Sequence, residues 1–207
     1  MQSEIDAVSV VWFHDRQLRE RDWPVMSHCP GSSGVWEWIA ANHRYNGLSW
    51  REEDRAHRLD IPPSEIAAGK RLIERYNLKR NDAVESIDEA LLASLSHVVC
   101  RPGARLSSET PGAMVDRLSI LALKIHHMRA QAQRPDGDEE YVRVSTGELE
   151  RLLAQRQDLM CCLDLLLAEA RAGLAYFKLY RRFRTYDDAA PNPDLNGRTP
   201  GRERAAP

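Results

Sequence analysis

Polar residues able to do chemistry gather in three stretches of the chain. The first holds Asn42, His43, Asn46, Trp50, Glu53 and Asp54. The second holds Asn77, Arg80 and Asn81, with Glu85 and Asp88 close behind. The third runs from Glu109 through Asp116, Arg117 and Ser119 to Lys124. Carboxylates, guanidinium groups and amides in such company suit acid–base work on a small charged molecule. A desolvated carboxylate gains basicity and can take a proton. Arginine grips an anion with a bidentate fork, and asparagine orients a bound group without adding charge. Glu53, Asp54, Glu109 and Asp116 are the candidate catalytic carboxylates. Asn42, His43, Asn46, Trp50, Asn77, Arg80, Asn81, Arg117, Ser119 and Lys124 are the candidate binding residues. Exchange of Glu53 for Gln is expected to abolish turnover with the fold intact, and retained turnover would remove it from the mechanism.

The elements that must position these residues read as helices separated by turn clusters. Helices are expected over about Glu4–Arg21, Val35–Arg58, Ser64–Leu95 and from Pro111 to just before Arg134. A fifth is expected from a capping box at Ser145–Glu148 to about Tyr186. Loops fall at Met26–Gly34 and Arg101–Gly103, and Tyr141–Val144 is the one short strand candidate. The pattern predicts an all-α, single-domain antiparallel bundle of about five helices over residues 1–187, then a disordered tail over 188–207. In the fifth helix Leu149, Leu152, Leu159, Leu163, Leu166, Ala170, Leu174 and Phe177 form a core stripe. The third helix breaks its own stripe of Ile66, Ile73, Val84, Ile87, Leu91 and Leu95 with Lys70, Asn77 and Arg80. Unpaired burial of such groups costs several kcal/mol each by order of magnitude, so they face partners, water or a ligand. One buried polar cavity shared by the middle three helices accounts for the breaks. A purely structural salt-bridge network accounts for them as well.

The 207 residues are 43% hydrophobic and 29% charged, enough apolar mass for a core and against a disordered chain. A formal net charge of -2 argues against general DNA binding. No apolar run reaches the ~18 residues of a membrane helix, and the acidic start Met1–Asp6 lacks the features of a signal peptide. The expectation is a cytoplasmic protein with no membrane partner. Cys29 and Cys100 are isolated, Cys161-Cys162 fall in the fifth helix as core residues, and no CxxC spacing occurs. A di-iron bundle needs paired Glu-x-x-His elements, and Asp54-x-x-His57 is the nearest match. No metal and no cofactor are expected. Ser108–Gly112 opens the fourth helix, where unpaired N–H groups can hold an anion. Lys178–Tyr186 interleaves cations with aromatics, which fits a solvated helix end or docking of an acidic partner.

Five motifs carry a resemblance. They are Asn42-His43-Arg44-Tyr45-Asn46, Trp50 with Glu53-Asp54, Arg80-Asn81-Asp82 with Glu85 and Asp88, Ser108-Glu109-Thr110-Pro111-Gly112, and Asp116 through Ile125. Over roughly Trp36 to Tyr186 the chain resembles the bacterial domain of unknown function family number 4254. It departs from that pattern at Arg51, where a His follows the Trp. It is also similar to the helical cyclase partner of a sulfotransferase in aziridine natural-product biosynthesis. That second resemblance implies ring closure, in which an amine displaces a sulfate or similar anion within one molecule. It further implies a substrate borne on an acidic amino-group carrier protein, a sulfotransferase partner and no specific nucleic acid. The residues suit that chemistry: a carboxylate deprotonates the ammonium, and Arg80, Arg117 and Lys124 hold the leaving anion. Two other readings stay open. One is a non-catalytic helical interaction or scaffold module with a basic C-terminal helix end. The other is a metal-dependent bundle enzyme.

Overall fold

A computed structural model describes residues 5–25, 34–58, 60–134 and 138–181. These residues are 73% helical. The elements are α1 (Ala7–Gln17), α2 (Val35–Ala56), α3 (Pro63–Ser94), β1 (Arg105–Leu106), α4 (Pro111–Ala132), α5 (Glu139–Arg171) and β2 (Ala175–Tyr176). Local chemistry sets the helix starts. Asp6, Thr110 and Asp138 each accept a first-turn N–H with their side chains. Proline opens α3 and α4, where a missing N–H costs nothing.

Consecutive long helices run antiparallel. Between α2 and α3, Arg55 pairs with Glu65 and Tyr45 stacks on Tyr76, so numbers rise on one helix as they fall on the other. Between α3 and α4, Asp88 meets Gly112 and Arg80 meets Asp116. α2 and α4 therefore lie parallel. The apolar core joins Val10, Ile39, Ile87, Leu118, Leu163 and Leu166 from all five helices. In α3 the buried residues are Gly69, then Ala83, Ile87, Asp88 and Leu91. Its first half thus extends past the core, paired with the end of α2, and Lys70 there is exposed.

Asp88 joins α3 to α4. Its carboxylate accepts the Gly112 N–H at 2.7 Å. Thr110, which accepts from Ala113, also bonds the Asp88 carboxylate. Burial pushes the Asp88 carboxyl up to about 6, against the lowering effect of those hydrogen bonds. The N-terminus of α4, expected to hold an external anion at Ser108–Gly112, is thus capped from inside. A Cβ on Gly112 would lie 2.6 Å from the Val84 carbonyl oxygen, so this close crossing requires glycine.

The fifth helix differs from expectation at both ends. It starts at Glu139 with Asp138 as cap, so Tyr141–Val144 and Ser145–Glu148 lie inside it. It stops at Arg171 instead of Tyr186. Gly173 takes a left-handed φ of 71°, and the chain turns into β2 alongside β1. The Gly173 carbonyl accepts from Arg101 at 2.9 Å, and the Tyr176 carbonyl accepts from Ser107 at 2.8 Å. Leu174 is consequently exposed, while Phe177 reaches the core from beyond the helix. Cys161 and Cys162 sit on the exposed side of α5, not in its core stripe. The loop over 26–33, Cys29, Arg182–Tyr186 and the tail lie outside the described residues. Among the described residues no helix is long and apolar enough to cross a membrane.

Two glycine substitutions separate crowding from helix propensity. Gly112→Ala is expected to cost about 2 kcal/mol or more through the clash at the α3–α4 crossing. Gly147→Ala, whose Cβ meets nothing within 4 Å, is expected to stabilise α5 by about 0.5–1 kcal/mol. Urea denaturation followed by circular dichroism measures both, and equal effects would contradict the packing described.

Candidate functional site

The three polar stretches do meet, at one carboxylate. Asn42 and Asn46 project from successive turns of α2 and are both buried. Their amide groups donate to the same atom, Asp116 Oδ1, at 2.8 and 2.9 Å. Arg80 on α3 brings its Nε to 3.6 Å from that oxygen, an ion pair too long for a hydrogen bond. The Asp116 side chain is 14% exposed and that of Arg80 27% exposed, so the pair stands at the edge of the buried layer. Asp116 is packed from within by neutral amides and meets water at its rim.

Behind it the network has a fixed polarity. Asn46 Nδ2 also donates to Ser119 Oγ at 3.0 Å, and Ser119 Oγ lies 2.8 Å from His43 Nδ1. Ser119 owns one proton. If that proton goes to His43 Nδ1, only the His43 Nε2 group lacks a partner. The opposite tautomer would leave two groups unpaired in a dry layer. His43 therefore carries its proton on Nε2 and accepts at Nδ1. Its ring is covered on both faces, by His14 at 4.4 Å and Trp23 at 4.6 Å between ring centroids. Trp23 in turn seats its ring against Gly47, where a Cβ would collide with it. Burial depresses both imidazoles, His14 to about 3 and His43 well below its ordinary value, so both stay neutral. Neither His14 nitrogen has a hydrogen-bond partner.

This arrangement corrects several expected roles. His43, Ser119, Asn42 and Asn46 support Asp116 from behind and are sealed from solvent, so they do not line an open chamber. Asn81 donates to the backbone carbonyl of Asn77 at 2.5 Å, one turn back in its own helix. Trp50 stacks on His127 with ring centroids 4.8 Å apart, away from the carboxylate, and its Nε1 is buried without a partner. Glu53 and Asp54 lie exposed near the end of α2, beyond the core. Glu53 is held away from the layer because it lies past the core on α2, where Arg55 pairs with Glu65 at the protruding start of α3. The expected loss of turnover in Glu53→Gln no longer follows from its position. Glu109 and Arg117 form a two-oxygen ion pair at 2.7 and 2.9 Å. With Lys124 they line an open groove of about 480 Å³ over α4 and α5, floored by Met114, Ile120, Leu121 and Leu159. Ile120 follows Asp116 by one helical turn, so groove and carboxylate occupy neighbouring strips of α4.

His14 and Trp23 are the site residues that the sequence reading missed. A signal existed for the first: Val10, His14 and Gln17 share the buried stripe of α1, where a histidine and a glutamine stand in apolar positions. Nothing local marks Trp23. Among the described residues no cluster of three or more His, Cys, Asp or Glu is placed to hold a metal ion.

The sequence model of a family described as protein of unknown function (DUF4254) matches residues 36–179. The chain belongs to this family. The matched DUF4254 region contains Asn42, Arg80 and Asp116, whereas α1 and Trp23 precede it. Comparison with curated proteins and with solved structures returned no match.

The buried imidazoles give stability a definite pH dependence. Unfolded, each would protonate near 6.5. Below that pH the unfolded chain binds more protons than the folded one, so stability is complete above about pH 6.5 and falls on acidification. Asp88 acts with the opposite sign. Raised from 3.8 to about 6, it favours the fold at low pH, and that contribution is lost as pH rises through about 6. Two histidines outweigh one carboxyl, and the net effect is acid destabilisation. His14→Leu is expected to flatten the slope of unfolding free energy between pH 6 and 4 by about 1.4 kcal/mol per pH unit. Urea titrations at several pH values measure it, and an unaltered slope would show that His14 is charged in the fold.

Proposed function

We propose that this chain is a cytoplasmic biosynthetic enzyme whose Asp116 binds the ammonium group of a small charged metabolite and acts as its general base. The carrying observation is the carboxylate itself: one oxygen held by two buried asparagine amides, a cation 3.6 Å away, and an edge open to water. With Oδ1 occupied, Oδ2 is left to receive a substrate N–H. Arg80 beside it, or Arg117 and Lys124 in the adjoining groove, would hold an anionic group of the same molecule. A ligand carrying both an amine and an anion fits this alternation of charge.

The reaction that fits is intramolecular ring closure of aziridine type. Asp116 takes a proton from the ammonium. The freed nitrogen lone pair attacks the carbon that bears a sulfate or similar group. The carbon–oxygen bond breaks, and the anion leaves with its electron pair towards the cations. Holding nucleophile and carbon in line would supply several kcal/mol by order of magnitude. Delivery on an acidic amino-group carrier protein, with a sulfotransferase installing the leaving group, belongs to the same proposal. A second reading is favoured by one observation. Asn42, Asn46, Ser119 and Asp116 satisfy one another, as a purely structural network would.

Asp116→Asn separates the two readings, because the new side chain keeps an acceptor for both amides and loses the base. With 2-aminoethyl sulfate as minimal probe and ring closure followed by proton NMR, Asp116→Asn is expected to lose at least about 100-fold in rate with its melting temperature nearly kept. Arg80→Gln is expected to weaken probe binding about tenfold, and Glu53→Gln to stay within about twofold of the parent. A parent protein that does not accelerate the reaction, or an Asp116→Asn variant that matches it, would refute the enzyme reading.

A further inference from the structure

We propose that the outer face of α3 from Arg71 to Lys79 is a docking surface for an acidic protein. The stretch Lys70-Arg71-Leu72-Ile73-Glu74-Arg75-Tyr76-Asn77-Leu78-Lys79-Arg80 places five cations against one acid. Arg71, Arg75 and Lys79 follow at four-residue spacing and are all exposed, forming a row about 12 Å long on a rigid helix. Arg71 and Arg75 have no carboxylate within ion-pair reach among the described residues, and Lys79 has only Asp82 at 4.0 Å. The long helix α5 compensates most of its arginines. On α5, Arg143, Arg151 and Arg156 each have an acidic partner. Like charges one turn apart repel each other by a few tenths of a kcal/mol. The row on α3 therefore does not serve the helix that bears it.

The surroundings select the occupant. Ala68, Leu72, Glu74 and the two arginines line a shallow open hollow, and Leu78 beside it is 43% exposed. A continuous polyanion, nucleic acid or anionic membrane, would set phosphates against Glu74 and leave the apolar contacts unused. A folded acidic face can space its carboxylates to match the row, avoid Glu74 and cover Leu78. Carboxylates at four-residue spacing on a partner helix repeat the same interval. The surface is carried by residues other than Asp116 and stands apart from the catalytic reading.

The test uses the full chain and a labelled helical peptide with Glu at four-residue spacing and one Leu, read by fluorescence anisotropy. Duplex DNA and phosphatidylserine vesicles are the comparison probes. Binding of the peptide is expected at low salt, with at least a tenfold loss in the Arg71→Glu/Arg75→Glu variant and a similar loss at several-fold higher salt. An Arg143→Glu/Arg151→Glu control on α5 is expected to bind like the parent, and DNA and vesicles to bind at least tenfold more weakly than the peptide. Circular dichroism confirms that the exposed substitutions leave the helices in place. The proposal is overturned if the peptide does not bind, if Arg71→Glu/Arg75→Glu binds it unchanged, or if DNA or vesicles bind more tightly.

Discussion

Two amide groups reach across from α2 and end on a single oxygen atom, Asp116 Oδ1. The inner side of a carboxylate set against a packed layer has to be met by donors. The amides supply the donors without adding a second full charge. They also fix how α2 and α4 lie side by side, because Asn42 and Asn46 are one turn apart and must serve the same acceptor. Arg80 completes the arrangement from α3. Three helices are thereby tied at one atom, and the remaining edge of the carboxylate is what the protein presents to solvent.

The support behind that atom is neutral by construction. His43 accepts from Ser119, Ser119 accepts from Asn46, and Asn46 donates to Asp116. Each link dictates the next, so an uncharged imidazole deep in the bundle sets the direction of the amide at the surface. α1 and Trp23 cover that imidazole. The ties Asp15–Arg156 and Asp164 to the Ala7 N–H hold α1 on α5. The N-terminal helix, outside the family-matched region, thus guards the protonation state of a residue inside it.

Much of this was legible in the sequence. Polar residues gathered midway along three helices marked Asn42, Asn46, Arg80, Asp116 and Ser119 as candidates, and of these Arg80 interrupts an apolar stripe of its own helix. That reading failed for Glu53 and Asp54 because the same wheel positions continue past the end of the core, and spacing does not record where packing stops. It failed at the end of α5 because Leu174 and Phe177 keep helical spacing after Gly173 has turned the chain. Tyr141–Val144 alternates in polarity over too few residues to separate a strand from a helix, and Asp138 settles it by capping. The stacking of His14 and Trp23 on His43 is a contact between distant segments, which no local pattern encodes.

A ligand ammonium that reaches Asp116 must disturb the donors already bound to it. The side-chain amide signals of Asn42 and Asn46 report on that carboxylate directly, since both donate to it. Nitrogen–proton correlation spectra recorded during titration with 2-aminoethyl sulfate should show these two amide pairs shifting together and saturating, while the amide of Gln157, which bonds Cys161 on the exposed side of α5, stays still. If both asparagine signals hold their positions at saturating probe, the carboxylate does not bind an amine and the account fails.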